Sequence, residues 1–341
     1  MDKYSKIAFK IVAILLKIKK GDIVSIAGEI HNLGTEPLSE IALIEELAIA
    51  VRKREGFPVL DISTERLKNR YFREIQTKDF QIDYFNNSVD LIDVFVDVGW
   101  RSNPEIMNQL SDEEFEQIVE HTEAIWNKII EFGKKVLFMG FPTKELANYY
   151  QLNLKLLQQS FFNGIDCDYS KLVTQTSSFL EKLKKKSKVT INTKANRLIC
   201  EYEEDKIFLY NGEFRDLPTI ILPTGRIAIE VKQISGKFLA EKVYFKTKTF
   251  ENITIIIENF VISQVDFSVV KTGNNELESY IKSKIKKINI QIGFNKEIQN
   301  YTNYLLFDKN ILNNVTIQII TEKGMNISLS NKHNKFDIGD E

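Results

Sequence analysis

Apolar and polar residues alternate with two different periods along the first half of the chain. One apolar set recurs at helical spacing near the N-terminus: Ile7, Ile11, Ile14, Leu15 and Ile18. Short apolar runs at residues 23–28, 58–62, 89–98 and 135–140 predict four buried strands. Helices are predicted at about residues 37–51, 64–72 and 111–129, the last beginning at a Ser-Asp-Glu-Glu capping box. This order predicts an α/β N-terminal domain whose mainly parallel sheet is covered by helices on both faces.

The second half of the chain has a different pattern. Residues 143–186 have helical periodicity throughout. Beyond them, strand-like segments occur at residues 189–191, 198–200, 220–229, 253–257, 317–321 and 325–329, with one predicted helix at 276–287. We therefore predict an α/β domain with a helical connection over residues 1–186, followed by a β-rich α+β domain over residues 187–341.

Composition and charge narrow the classes of partner. The chain has 341 residues, and its 46 Lys and Arg against 47 Asp and Glu give a formal net charge of -1. Such a balance does not favour nucleic acid or an anionic membrane as a partner. No apolar run is long and uncharged enough to span a bilayer, so we expect a soluble, cytoplasmic protein. The two cysteines, Cys167 and Cys200, are far apart and form neither a CxxC zinc motif nor a disulfide scaffold.

Several local phrases occur in an order that resembles a known family. They are Phe-Pro-Thr-Lys-Glu-Leu-Ala at 141–147, Asp-Tyr-Ser-Lys-Leu at 168–172, Val-Thr-Ile at 189–191, and Phe-Glu-Asn-Ile-Thr at 250–254. Together they resemble the aminopeptidase T family of thermophilic metallo-aminopeptidases over nearly the whole chain. The resemblance implies the two-domain architecture of that family and a homodimer. It also implies a site in the second domain where carboxylates and histidines hold two metal ions that activate water.

The motifs that carry those metal ligands are altered in this sequence. Leu222-Pro223-Thr224-Gly225-Arg226 resembles the leucine-proline-x-glycine-glutamate motif, with Arg226 in place of the glutamate. By the same resemblance the other metal-site positions carry Asn289, Lys309, Thr316, Lys335 and Asp337. Asp337 is the one ligand type that is kept. A guanidinium or ammonium group has no lone pair to offer a metal.

This pattern of substitutions predicts a protein without peptidase activity. Arg226, Lys309 and Lys335 are expected to occupy the former metal pocket as fixed cations and to pair with Asp308 and Asp337. We predict a pseudoenzyme with no bound metal that binds a peptide, a biosynthetic intermediate, another small molecule or a partner protein.

Two enzymatic alternatives stay open from the sequence. In the first, Asp308, His333 and Asp337 hold one zinc, cobalt or manganese ion, and the protein is a divergent metallo-aminopeptidase-like hydrolase or another single-metal enzyme. In the second, the cationic residues hold an anionic group and polarise a carbonyl without any metal. The sequence alone does not decide whether the protein is an enzyme.

Overall fold

The computed structural model describes residues 3–30, 40–64, 66–67, 70, 89–102, 104, 125–193, 196–215, 217–266, 277, 285–322, 326–332 and 334–337. The chain forms two compact units, each built from two separate stretches. Unit 1 comprises Met1–Asp166 with Glu213–Leu222, and unit 2 comprises Cys167–Gly212 with Pro223–Glu341. The chain passes from one unit to the other after residues 166, 212 and 222, and not near the predicted boundary at residue 187.

Unit 1 contains a five-stranded sheet in which every described pairing is parallel. Its strands are β1 (Ile23–Ile30), β2 (Phe57–Thr64), β3 (Val94–Asp97), β4 (Lys135–Met139) and β7 (Thr219–Leu222). They lie in the order β2-β1-β3-β4-β7. The parallel sheet confirms the predicted α/β fold of the N-terminal domain.

Helices of unit 1 follow the predicted apolar periodicity. They are α1 (Lys3–Phe9), which continues as a π-helical turn over Lys10–Leu15, α2 (Glu40–Lys53), α3 (Lys144–Tyr149) and α4 (Leu154–Ile165), with residues 125–131 also helical. Thr143 and Asn153 cap α3 and α4, because their side-chain oxygens accept hydrogen bonds from Leu146 N and Leu156 N. The single helical region predicted at 143–186 is thus divided by caps into separate helices.

Unit 2 is the predicted β-rich α+β domain. It begins with α5 (Tyr169–Lys184), which is capped by Asp168. Its strands are β5 (Lys188–Thr193), β6 (Asn196–Tyr210), β8 (Arg226–Phe245), β9 (Lys248–Glu258), β10 (Val261–Asp266), β11 (Ile285–Gly293), β12 (Val315–Thr321), β13 (Asn326–Asn331) and β14 (Asn334–Asp337), with the short helix α6 (Leu305–Asp308) before β12. The described pairings of these strands are antiparallel.

The long strand β8 organises this sheet. Its first residues pair with β11 and with the end of β6, and its last residues pair with β13 and β9. Because β11 pairs with β12 and β12 with β13, these strands form a closed circuit that begins and ends on β8. Alternate residues such as Ile227, Ile290 and Ile317 face a continuous apolar core and are fully buried.

Three predicted elements differ from the structure. The predicted strand at 220–229 is two strands of different sheets, because Pro223 lacks an N–H and Gly225 has a left-handed φ of 125° between them. Only Val94–Asp97 of the predicted strand at 89–98 is extended. Residues 285–287 belong to β11 rather than to the predicted helix at 276–287. Most of that helix and of the predicted helices at 64–72 and 111–129 lies outside the described residues.

Candidate functional site

A polar row of side chains crosses the sheet of unit 2 on the face opposite its core. Strand register places Phe208 beside Ala228, Ala228 beside Gln291, Gln291 beside Thr316, and Thr316 beside Ser330. The neighbouring row contains Tyr210, Arg226 and Gly293. We call this surface the polar face. It brings together Arg226 and Thr316, two of the predicted site residues.

Arg226 is buried on the polar face at the start of β8, with only 3% of its surface exposed. Its guanidinium carbon lies 3.9 Å from the ring centroid of Tyr210, its cross-strand neighbour. Its Nη1 donates a hydrogen bond of 3.2 Å to Asn310 Oδ1, whereas Nε has no hydrogen-bond partner among the described residues. Burial lowers the pKa of Arg226 to about 10, which leaves the side chain charged at neutral pH.

Asn310 is itself held in place by the backbone. Its Nδ2 donates to Pro223 O at 3.0 Å and to Leu306 O at 2.8 Å, so its Oδ1 is left to accept from Arg226. Segment Asn310–Ile311 covers Gly293, and a Cβ at that glycine would collide with Ile311 O. The segment after α6 therefore covers the row of the polar face that contains Tyr210, Arg226 and Gly293.

Asp308, at the end of α6, is fully buried, and its carboxylate accepts hydrogen bonds from Tyr244 and Thr302. Tyr244 Oη donates to its Oδ2 at 2.7 Å, and Thr302 N and Oγ1 donate to its Oδ1 at 2.8 and 2.7 Å. Desolvation raises the pKa of Asp308 to about 6 despite these donors. Burial and the neighbouring Asp308 carboxylate also raise the pKa of Tyr244. In the described part of the chain, Arg226 and Asp308 bond to other groups than each other: Arg226 to Asn310, and Asp308 to Tyr244 and Thr302.

Thr316 belongs to a network of hydroxyl and amide groups. Its Oγ1 lies 2.7 Å from Ser330 Oγ and accepts a hydrogen bond from Asn314 Nδ2 at 3.2 Å. Asn314 Nδ2 also donates to Asp308 O at 2.8 Å, and Tyr301 Oη donates to Asn314 Oδ1 at 2.9 Å. These neutral partners satisfy one another without an ion.

The remaining predicted site residues lie apart from this cluster or are only partly described. Asn289 pairs with Glu230 and Gln318, four residues before Gly293 on β11. Lys309 follows Asp308 and is half-buried. The backbone of Lys335 and Asp337 lies on β14, which pairs with β5 rather than with the strands that carry Arg226 and Thr316. His333 lies outside the described residues.

The donor set on the polar face does not fit a pair of metal ions. No group of three or more His, Cys, Asp or Glu side chains within the described residues is placed to hold a metal. Arg226 instead brings a fixed positive charge to this face, and a guanidinium has no lone pair to offer a metal ion. Of the three residues of the alternative single-metal site, only Asp308 has a described side chain. Both of its carboxylate oxygens already accept hydrogen bonds from protein donors.

Most residues around Arg226 were not predicted as site residues from the sequence: Phe208, Tyr210, Ala228, Gln291 and Ser330 on the polar face, and Asn310 on the segment that covers it. Ala228 is half-buried between larger neighbours, and Gln291 is 9% exposed with no hydrogen-bond partner for its Oε1 among the described residues. For Gln291, the signal in the sequence was the alternation of isoleucine with Asn289, Gln291 and Gly293, which is typical of a strand with one apolar and one polar face.

In the described parts of both units, no helix is long and apolar enough to cross a membrane.

Comparisons with known proteins identify the fold. No protein-family model matches the sequence, and no curated protein matches it. Among solved structures, the chain is similar to wild-type AmpT, the aminopeptidase T of Thermus thermophilus, with a TM-score of 0.66, 11% identity, and coverage of 98% of this chain and 94% of that one. It is also similar to 2,5-dihydroxypyridine dioxygenase from Pseudomonas putida KT2440, with a TM-score of 0.60, 9% identity, and coverage of 99% and 94%. The two units, one with a parallel and one with an antiparallel sheet, therefore have the fold of aminopeptidase T.

Proposed function

We propose that this protein is a non-hydrolytic, metal-free relative of aminopeptidase T that binds a peptide-like ligand on the polar face of unit 2. The observation that carries the proposal is the buried guanidinium of Arg226, in the motif that by resemblance should supply a metal-binding glutamate. Its stacking on Tyr210 and its bond to Asn310 hold the cation in place. The implied homodimer and the cytoplasmic location stay predictions.

Electrostatics support the absence of a catalytic metal. A divalent ion held 4 Å from the Arg226 charge would be repelled by roughly 8 kcal/mol at an effective dielectric constant of 20. Its usual carboxylate and histidine ligands would have to offset this cost, and the neighbours of Arg226 are an aromatic ring and an amide. Without a metal, the site lacks the group that polarises the carbonyl and activates water in a two-metal peptidase.

The test is a metal measurement joined to an activity assay. Protein purified without chelator is expected to contain no stoichiometric zinc, cobalt, manganese or iron by elemental analysis. It should not hydrolyse leucine para-nitroanilide even after these ions are added, whereas an active aminopeptidase of the same fold serves as the positive control. Roughly one or two bound ions per chain, the number used by metal-dependent hydrolases, would overturn the proposal.

A second candidate is a single-metal enzyme, and one observation favours considering it. The same fold occurs in a protein named as a dioxygenase, so the architecture is not restricted to peptidases. This candidate predicts bound metal that is lost in Asp308→Asn. The hydrogen bonds that occupy both Asp308 oxygens weigh against it.

A further inference from the structure

On the polar face, Ala228 has a much smaller side chain than its neighbours. Its methyl group lies in one row between Phe208 and Gln291, and Arg226 and Tyr210 form the adjacent row. Ala228 is half-buried although Arg226 and Gln291 beside it are buried, so part of this small residue is exposed to solvent between larger side chains. We call these five residues the Ala228 depression.

We propose that the Ala228 depression binds a ligand in which a carboxylate stands next to an N–H group, as at the carboxyl end of a peptide. This inference rests on the proposed binding function and specifies its ligand. It is carried by two buried polar atoms of opposite hydrogen-bonding character, Arg226 Nε and Gln291 Oε1, neither of which has a partner among the described residues.

Arg226 supplies the group that would bind the carboxylate. Asn310 occupies Nη1, which lies on the far side of the guanidinium from Nε–H. The edge formed by Nε and Nη2 is an edge that an arginine uses to bind a carboxylate through two parallel hydrogen bonds. A buried cation whose described neighbours include no carboxylate gains from an anionic ligand, since an uncompensated buried charge is costly.

Gln291 supplies the group that would accept from the ligand's N–H. Its Nε2 donates to Gln318 Oε1 at 3.1 Å, which fixes the amide and leaves Oε1 as an acceptor. Gln291 and Arg226 are diagonal neighbours on adjacent strands, a separation of about 7 Å between their Cβ atoms. Long side chains at that spacing can reach adjacent groups of one small ligand.

The surroundings favour an apolar side chain on that ligand. Phe208 and Tyr210 lie on β6 beside Ala228 and Arg226, and both rings are partly exposed. The nearest acidic neighbour along β8, Glu230, is paired with Lys287 at 2.6 Å, so it does not leave an uncompensated negative charge beside the ligand. An apolar carboxyl-terminal residue such as leucine matches these features.

The probes are N-acetyl-leucine and two analogues that each lack one recognised group. Isothermal titration calorimetry should detect binding of N-acetyl-leucine. N-acetyl-leucinamide, which has no carboxylate, and N-acetyl-N-methyl-leucine, which has no N–H, should each bind roughly tenfold or more weakly, the loss expected for a hydrogen bond to a charged or buried group.

Variants test the location. Ala228→Leu fills the depression and should abolish binding of N-acetyl-leucine, whereas Ala48→Leu, the same change on α2 of unit 1, should leave it unchanged. Gln291→Met should remove the preference for N-acetyl-leucine over its N-methyl analogue. Arg226→Met should remove the preference for the acid over the amide. If circular dichroism shows that Arg226→Met does not fold, Ala228→Leu and Gln291→Met still test whether the ligand binds in the Ala228 depression.

The inference is wrong if no probe binds, if the amide binds as tightly as the acid, or if Ala228→Leu binds like the wild type. These outcomes are separate from the proposed function. A metal-free, inactive protein that ignores N-acetyl-leucine would refute only the ligand assignment, whereas bound metal would refute the proposed function itself.

Discussion

Two buried charges of unit 2 are stabilised in different ways. The Asp308 carboxylate accepts hydrogen bonds from Tyr244 and Thr302, whereas Arg226 relies on the side chain of Tyr210 and the amide of Asn310. A carboxylate can be satisfied by nearby hydroxyl groups, but a guanidinium has five N–H donors and needs more acceptors than it finds here. Asp308 is therefore a structural group, and Arg226 keeps unused binding capacity.

The Asp308 carboxyl makes stability depend on pH. Its pKa rises from 3.8 to about 6 on folding, so the folded state holds a proton that the unfolded state has released between those values. The stability of the wild type should therefore fall as pH rises from about 4 to about 6, by about 3 kcal/mol from this group. Asp308→Asn should lack this fall.

Urea unfolding of both proteins at several pH values measures the difference. The substitution also changes the hydrogen bond to Tyr244, which adds an offset that does not vary with pH in this range. As the pH is raised, the free energy of unfolding of Asp308→Asn should increase relative to that of the wild type, so the two pH profiles should differ in slope. Parallel pH profiles would contradict the assignment of a raised pKa to Asp308.

At the level of elements, the polar face depends on close contact between β11 and the chain after α6. Gly293 lies opposite Arg226, and a Cβ there would stand 2.8 Å from Asn310 C as well as colliding with Ile311 O. Backbone atoms cannot move aside as a side chain can. The glycine thus lets the segment that carries Asn310 reach Arg226.

Gly293→Ala should therefore destabilise the protein by about 3 kcal/mol or more, the cost of overpacking against backbone. Gly133→Ala is the matched control: its φ of 67° disfavours alanine, but the added Cβ meets nothing within 4 Å. It should cost only about 1 kcal/mol. Thermal or urea unfolding compares the two, and equal losses would show that close packing at Gly293 is unimportant.

Local patterns in the sequence predicted the secondary-structure elements more successfully than they predicted the contacts between residues of different elements. The apolar run at 135–140 corresponds to β4, and the run at 58–62 lies within β2. The run at 220–229 was predicted as one strand because both of its halves are apolar. Pro223 and Gly225 in fact separate the end of β7 from the start of β8. At the site, family motifs pointed to Arg226 and Asp308. Tyr210 meets Arg226 through the register of β6 and β8, and Tyr244 meets Asp308 through the packing of α6 on β8; a single sequence reveals neither.

At the scale of the whole molecule, the fold is shared with AmpT of Thermus thermophilus, and the described residues contain no cluster of metal ligands. On the proposed metal-free function, stability is expected to come from the apolar cores of the two units without any contribution from a bound ion. A bound metal at a hundred times its Kd would add about 2.7 kcal/mol.

The midpoint of thermal unfolding should accordingly be the same with and without EDTA or 1,10-phenanthroline. Removal of such a stabilising metal would lower it by roughly 4 °C in a protein of this size. Differential scanning fluorimetry makes the comparison, with the chelator added to an unrelated metal-free protein as the control. A fall in the midpoint for this protein alone would indicate a structural or catalytic ion.

Strand β7 has a consequence for biosynthesis. It forms one edge of the parallel sheet in unit 1, but it follows the stretch Cys167–Gly212, which belongs to unit 2. A ribosome must therefore translate the opening portion of the second unit before the first can acquire its last strand. Nascent chains that end before residue 219 should expose the free edge of β4, and premature termination there would leave a template for aggregation.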